Sequence, residues 1–148
     1  MPVVILLMGL TFNMANGFLI GHFLGNYKVY ELSWLATPQF IFGTLLFFAG
    51  MALNFQSDTI LINLRKPGET GYKIPQGGFF KYVSAPNLLG EITEWLGFAI
   101  LTWSLPGLVF FVWSFANLVP RALSHHKWYL QHFEDYPPNR KAVIPGIW

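Results

Sequence analysis

The chain has 148 residues, 53% of them hydrophobic and 11% charged, whereas a soluble domain carries about a quarter charged residues. Its formal net charge is +2 with no basic run interleaved with aromatics, which argues against a nucleic-acid partner. It contains no Cys, so thiolate metal sites, disulfides and cysteine nucleophiles are excluded.

The first apolar stretch runs from about Pro2 to Leu24. No charged segment precedes it and no small-residue cleavage site follows, so it reads as a membrane span and not as a signal peptide. A second runs from about Thr37 to Asn54, a third from about Ala85 to Trp103, and a fourth, short one from about Leu105 to Val119. A helix needs about 20 residues to cross the hydrocarbon core. The first two qualify alone. The third carries Glu91 and Glu94 and spans only if these face protein or water. Pro106 suits the first turn of the fourth. Between the second and third, residues 56 to 82 read as a polar loop, with Pro67-Gly68, Pro75 and Gly77-Gly78 as turn signals. After the fourth, residues 120 to 148 read as an amphipathic helix followed by a Pro-rich tail. The expected fold is therefore all-α and integral to the membrane. It is one domain over 1–148, with about four transmembrane helices, a cytoplasmic loop and a C-terminal amphipathic helix. With four crossings, Arg65, Lys66, Lys73, Lys81, Arg121, Lys127, Arg140 and Lys141 share one side and Lys28 lies on the other. The excess of positive charge assigns the crowded side to the cytoplasm.

Three helical stripes carry ionisable groups. Asn87, Glu91 and Trp95 fall at i, i+4 and i+8 and share one face, with Glu94 beside them. Two carboxylates in an apolar helix are costly unless partnered, so they mark a candidate site. Arg121, His125 and Tyr129 repeat the same spacing: a cation, an imidazole and a phenol suited to phosphate, ribose and amide. An interfacial helix anchored at lipid headgroups would carry the same residues. Asn54 and Asp58 lie at i and i+4 ahead of Arg65-Lys66, where Asn and Asp suit ribose hydroxyls or an amide and Arg65 a phosphate; a solvated helix end reads the same way. His125, His126 and His132 lack the carboxylate or Cys spacing of a metal site, so no metal is expected. There is no GxGxxG and no P-loop, so any nucleotide site must be assembled from side chains between helices. None of Ser57, Ser84, Ser104 and Ser124 has a nucleophile-elbow context.

The segment NFQSDTILINLRKPGETGYKIPQGGFFKYVSAPNLLGEITEWLGFAILTWSLP and the tail HHKWYLQHFEDYPPNRKAVIPGIW closely resemble the steroid 5α-reductase (3-oxo-5α-steroid 4-dehydrogenase) family, specifically its C-terminal domain. LRKPGETGYKIPQGG points to the steroid branch over the related enoyl-CoA reductases. The resemblance implies an oxidoreductase of lipid and steroid metabolism. It would take hydride from NADPH and deliver it to the β-carbon of a conjugated enone, typically a Δ4-3-oxosteroid, in the endoplasmic reticulum or a bacterial inner membrane. By matching position it assigns Asn54, Asp58, Arg65, Tyr72, Asn87, Glu91, Arg121, His125 and Tyr129 to the NADPH pocket. Trp95, Phe12 and Trp113 are assigned to the substrate cavity. The family's ketone-polarising Tyr and Glu lie in spans ahead of those matched here and nothing in these 148 residues matches them, so the catalytic residues stay unassigned; Met8 also stands where some members carry Arg. Two other readings stay open. One is a membrane methyltransferase of the isoprenylcysteine type using S-adenosylmethionine, against which the LRKPGETGYKIPQGG loop argues. The other is a non-catalytic chain that needs the missing helices.

Overall fold

A computed structural model describes residues 3 to 147; Pro2, the expected start of the first span, and Trp148, the last residue of the tail motif, lie outside them. Within that range the fold is all-helical: α1 (Val3–Asn26), α2 (Pro38–Ile62), α3 (Pro86–Thr102) and α4 (Leu105–His132), with short 3₁₀ turns at Leu32–Ala36 and Gly78–Lys81. Three of these, α1, α2 and α4, are long and apolar enough to cross a membrane. None of the residues of α1 is buried, and an apolar helix exposed all round suits lipid contact.

Local chemistry sets the helix starts. Thr37 caps α2 by accepting from the Phe40 amide at 3.3 Å, with Pro38 in the first turn. Ser104 caps α4 by accepting from the Gly107 amide at 3.2 Å, with Pro106 in the first turn, as the sequence predicts. These pairings satisfy amides that have no partner within the helix. The end of α3 is closed from the far loop. Trp34 Nε1 donates to the Leu101 carbonyl at 3.1 Å, the Tyr30 hydroxyl to that of Thr102, and Lys28 Nζ to that of Trp103 at 3.1 Å. Trp103 itself adopts a left-handed conformation (φ 42°), the usual geometry of a helix stop.

α2 and α3 run antiparallel at very close range. Gly43 and Gly50 on α2 and Gly90 and Gly97 on α3 are each seven residues apart. A Cβ on Gly90 would lie 2.6 Å from the Asn54 nitrogen, and one on Gly50 would lie 2.6 Å from the Gly90 carbonyl oxygen. Only glycine allows this backbone contact, which replaces the hydrophobic drive that is absent between helices in lipid. α4 packs on the other side of α3, and a core of Ala85, Leu88, Ile92, Val119, Ala122 and Val143 joins α3, α4 and the tail.

Two expectations change. The loop expected from residue 56 begins after Ile62, because α2 runs two turns further. Its polar residues stay helical: Ser57 and Thr59 donate their hydroxyls to the carbonyls of Leu53 and Phe55, both at 2.7 Å, so neither competes with the ladder. The short fourth span and the amphipathic helix are one 28-residue helix that continues through Pro120. α3 has 17 residues, the lower end of the range of about 17 to 25 that crosses a membrane, and it is sheathed by α2 and α4, as a helix carrying Glu91 and Glu94 requires.

Candidate functional site

The three stripes meet at the end where α2 stops and α3 starts. Asn54 of α2 donates Nδ2 to the Asn87 carbonyl of α3 at 3.1 Å. One turn on, Glu91 lies within the electrostatic reach of Asp58 from α2 and Arg121 from α4, and Glu94 within that of Glu91. None of these charges closes an ion pair; among the described residues the only one joins Glu69 to Lys73 in the loop. Asp58 and Arg121 thus lie within electrostatic reach of Glu91 from the two neighbouring helices, and among the described residues no ion pair ties any of the three.

Beside them Tyr72, His125, Trp128 and Tyr129 line a cavity of about 330 Å³. The loop reaches this wall through Tyr72, whose ring meets Trp128 edge-on at 4.7 Å. Arg65 stands exposed just beyond α2, and among the described residues no ion pair holds it. Within the loop, the Lys73 ammonium and the Lys66 amide hold the Glu69 carboxyl below the usual carboxylate range.

An aromatic wall continues the α3 stripe. Trp95 meets Phe110 edge-on at 4.5 Å; Phe110 lies 6.4 Å from Phe12, and Phe12 lies 5.9 Å from Trp113. The three predicted substrate-contacting residues are thus brought together, with Phe110 as the link that sequence spacing did not single out. Phe110 is a single aromatic in an aromatic-rich helix, so only its neighbours on α1 and α3 distinguish it. A separate groove of about 360 Å³ at the opposite end of α3 is lined almost entirely by apolar side chains, among them Leu96, Ile100, Trp103 and Leu108; it holds no ionisable group and cannot supply polar chemistry.

A buried polar cluster under the cavity was also not legible in the sequence. Ser84 Oγ lies 2.6 Å from His126 Nδ1, 2.6 Å from the Tyr136 hydroxyl and 3.1 Å from the Lys141 carbonyl. Arg140, only 3% exposed, donates Nη2 to Gln76 Oε1 at 2.8 Å and sits 5.3 Å from the Tyr136 ring centre. Its Nε and Nη1 are buried without a partner among the described residues. The tail is drawn in by main-chain bonds: Lys141 donates to Tyr82, and Ser84 and Ala85 donate to Lys141 and Ala142. The three histidines diverge. His125 faces the cavity, His126 bonds Ser84, and His132 stacks on Trp128 at 4.2 Å.

Open carboxylates, an arginine and flat aromatic surfaces suit a ligand that carries amide or hydroxyl donors, an anionic group and a planar ring. A family profile described as 3-oxo-5-alpha-steroid 4-dehydrogenase matches residues 1–148. The chain is 50% identical over 147 residues to 3-oxo-5-alpha-steroid 4-dehydrogenase 1 of Bos taurus, covering 99% of this chain and 57% of that protein. It is 52% identical over 146 residues to 3-oxo-5-alpha-steroid 4-dehydrogenase 2 of Sus scrofa, covering 99% and 58%. It is 49% identical over 148 residues to steroid 5-alpha-reductase DET2 of Solanum lycopersicum, covering 99% and 57%. The chain thus spans a little over half the length of these relatives.

Proposed function

The chain belongs to the 3-oxo-5-alpha-steroid 4-dehydrogenase family, and from that premise we propose that it forms the cofactor-binding part of a membrane reductase that uses NADPH to reduce the C=C bond of a conjugated enone, a Δ4-3-oxosteroid in the first instance. The observation that carries this reading is the convergence of Asp58, Glu91 and Arg121 from three helices beside the cavity of Tyr72, His125 and Tyr129.

Bound NADPH supplies the hydride; the protein supplies orientation and electrostatics. Glu91 and Asn87 would accept from and donate to the nicotinamide carboxamide, and Asp58 and Asn54 would take ribose hydroxyls. Arg121 and Arg65 would meet phosphate oxygens, for which a guanidinium fork is well shaped. Tyr72, His125 and Tyr129 offer flat or hydrogen-bonding surfaces to the rest of the dinucleotide. The wall of Trp95, Phe110, Phe12 and Trp113 begins one helical turn from Glu91, so an apolar substrate lying on it would sit next to the carboxamide end and be shielded from water. Hydride addition to an enone places negative charge on the ketone oxygen, and donors there stabilise it; none of the residues of this chain is assigned that role. Arg65, Lys66, Lys73, Lys81, Arg121, Lys127, Arg140 and Lys141 all follow α2 or lie in the C-terminal half of α4 and the tail, a bias that supports a cytoplasmic side for the cofactor by the positive-inside rule. The membrane is the endoplasmic reticulum in a eukaryote or the inner membrane in a bacterium.

The test is NADPH binding by the purified chain in detergent, compared with S-adenosylmethionine, and repeated with Arg121→Ala and Glu91→Gln. Each variant should weaken NADPH by about 10- to 100-fold, the worth of a charge-assisted hydrogen bond. Unchanged affinity in both overturns the assignment, and preference for S-adenosylmethionine turns the chain into a methyltransferase.

A further inference from the structure

The cluster beneath the cavity has a proton count that constrains it. A serine hydroxyl has one proton to give and two lone pairs to receive. Ser84 Oγ has three partners within hydrogen-bond distance: His126 Nδ1 at 2.6 Å, Tyr136 Oη at 2.6 Å and the Lys141 carbonyl at 3.1 Å. The carbonyl can only accept. All three contacts are satisfied together only when Ser84 donates to Lys141, Tyr136 donates to Ser84, and His126 donates from Nδ1. Ser84 is 4% exposed and Tyr136 5%, so an unmet contact here would not be made good by bulk water.

The same tyrosine supports the cavity wall. The Tyr136 ring stacks on Tyr129 with centres 5.2 Å apart and planes 8° from parallel, and the Arg140 guanidinium also lies against the Tyr136 ring, at 5.3 Å. Tyr129 in turn lines the cavity with Tyr72, His125 and Trp128. The tail therefore meets Tyr129 through a stacked ring whose hydroxyl is bonded to Ser84 at the entrance to α3.

We infer that Ser84, His126 and Tyr136 form a hydrogen-bonded lock, with His126 in the Nδ1–H tautomer, that positions Tyr129 in the ligand site. They are positioning residues and touch no ligand themselves. The inference rests on the cofactor reading above for the identity of the ligand, and on the structure alone for the tautomer.

Two measurements test it on the full chain in detergent micelles. The first is ¹⁵N NMR of histidine-labelled protein, with the His126 signals identified by their loss in His126→Gln. The expected pattern is a protonated Nδ1 and an unprotonated Nε2 at neutral pH, lost in Ser84→Ala; an Nε2–H tautomer in the unmodified protein overturns the lock. The second is NADPH affinity. Tyr136→Phe keeps the stacked ring and removes only its hydroxyl, and Ser84→Ala removes the hub; each should raise Kd by about three- to tenfold, the worth of one hydrogen bond. His126→Asn, whose amide reproduces the Nδ1 position, should bind nearly as the unmodified chain does, whereas His126→Gln should not. That contrast distinguishes positioning from general loss of fold. If the unmodified chain binds NADPH and Tyr136→Phe and Ser84→Ala bind it equally well, positioning is overturned and the cofactor reading stands. If the unmodified chain does not bind NADPH, the cofactor reading fails, and the positioning role fails with it.

Discussion

The side-chain amide of Asn54 on α2 donates to the main-chain carbonyl of Asn87 on α3 at 3.1 Å. This bond joins two of the three polar stripes at the level of the site, and it uses one of the two amide protons of Asn54, leaving the other proton and the oxygen for a ligand. Asn54→Ala should therefore lower stability by about 1 kcal/mol and weaken NADPH in the same variant. Thermal unfolding in detergent and a binding isotherm check the pair of effects; a change in neither removes Asn54 from the site.

Glycine matters at Gly90 and not at Gly17. A Cβ on Gly90 would meet backbone atoms of Asn54 and Gly50 at 2.6 to 2.9 Å, whereas one on Gly17 meets nothing within 4 Å. Gly90→Ala should force α2 and α3 apart, at a cost of about 1–3 kcal/mol, and abolish detectable NADPH binding. Gly17→Ala should leave both unchanged or raise stability, since alanine is the better helix former. Equal melting temperatures for the two variants would contradict the close α2–α3 contact.

The far end of α3 depends on Lys28, Tyr30 and Trp34, which donate to the carbonyls of Trp103, Thr102 and Leu101. Trp34→Phe should speed hydrogen exchange of the amides in the last turn of α3 and leave NADPH affinity unaltered, because the site lies at the opposite end. Exchange measured by mass spectrometry on peptides covering 96–104 reads this directly.

Phe110 bridges Trp95 to Phe12 in the aromatic wall. Phe110→Ala should raise the apparent KM for a Δ4-3-oxosteroid by about tenfold while NADPH affinity changes little; loss of an aromatic contact surface is worth on the order of 1–3 kcal/mol in discrimination. The measurement is steroid turnover by whatever assembly of the protein is active. A rise in the NADPH Kd with no change in steroid KM would move Phe110 to the cofactor side.

Glu69 accepts from Lys73 and from the Lys66 amide, and both lower its pKa. With a folded value below the unfolded one, its contribution to loop order is present above the ordinary carboxylate range, about pH 4.3, and is lost as pH falls through the lowered value. The ¹³C carboxyl titration of Glu69 should have its midpoint below that of a free glutamate, and Lys73→Gln should raise that midpoint. A midpoint that does not respond to Lys73→Gln would show that the loop is not closed by this pair.

The sequence carries the all-helical membrane class, because so few charges in so apolar a chain leave few alternatives, and it shows which residues share a helical face, because the 3.6-residue period puts Asn87, Glu91 and Trp95 in one line. It also contained the paired glycine spacing of α2 and α3, although seven-residue intervals in two separate helices reveal contact only once the helices are side by side. The end of α2 is hidden in the sequence because Ser57 and Thr59 have loop-like side chains whose hydroxyls bond back into the helix. The continuity of α4 is hidden by Pro120, through which the helix runs. Helix packing alone brings Asp58 and Arg121 within reach of Glu91, lets Phe110 complete the wall, and gathers a serine, a histidine and a tyrosine far apart in sequence under the cavity. Those relations depend on how close two backbones can approach and on where a Pro-rich tail returns, which are distances between elements and leave no periodic trace within any one of them.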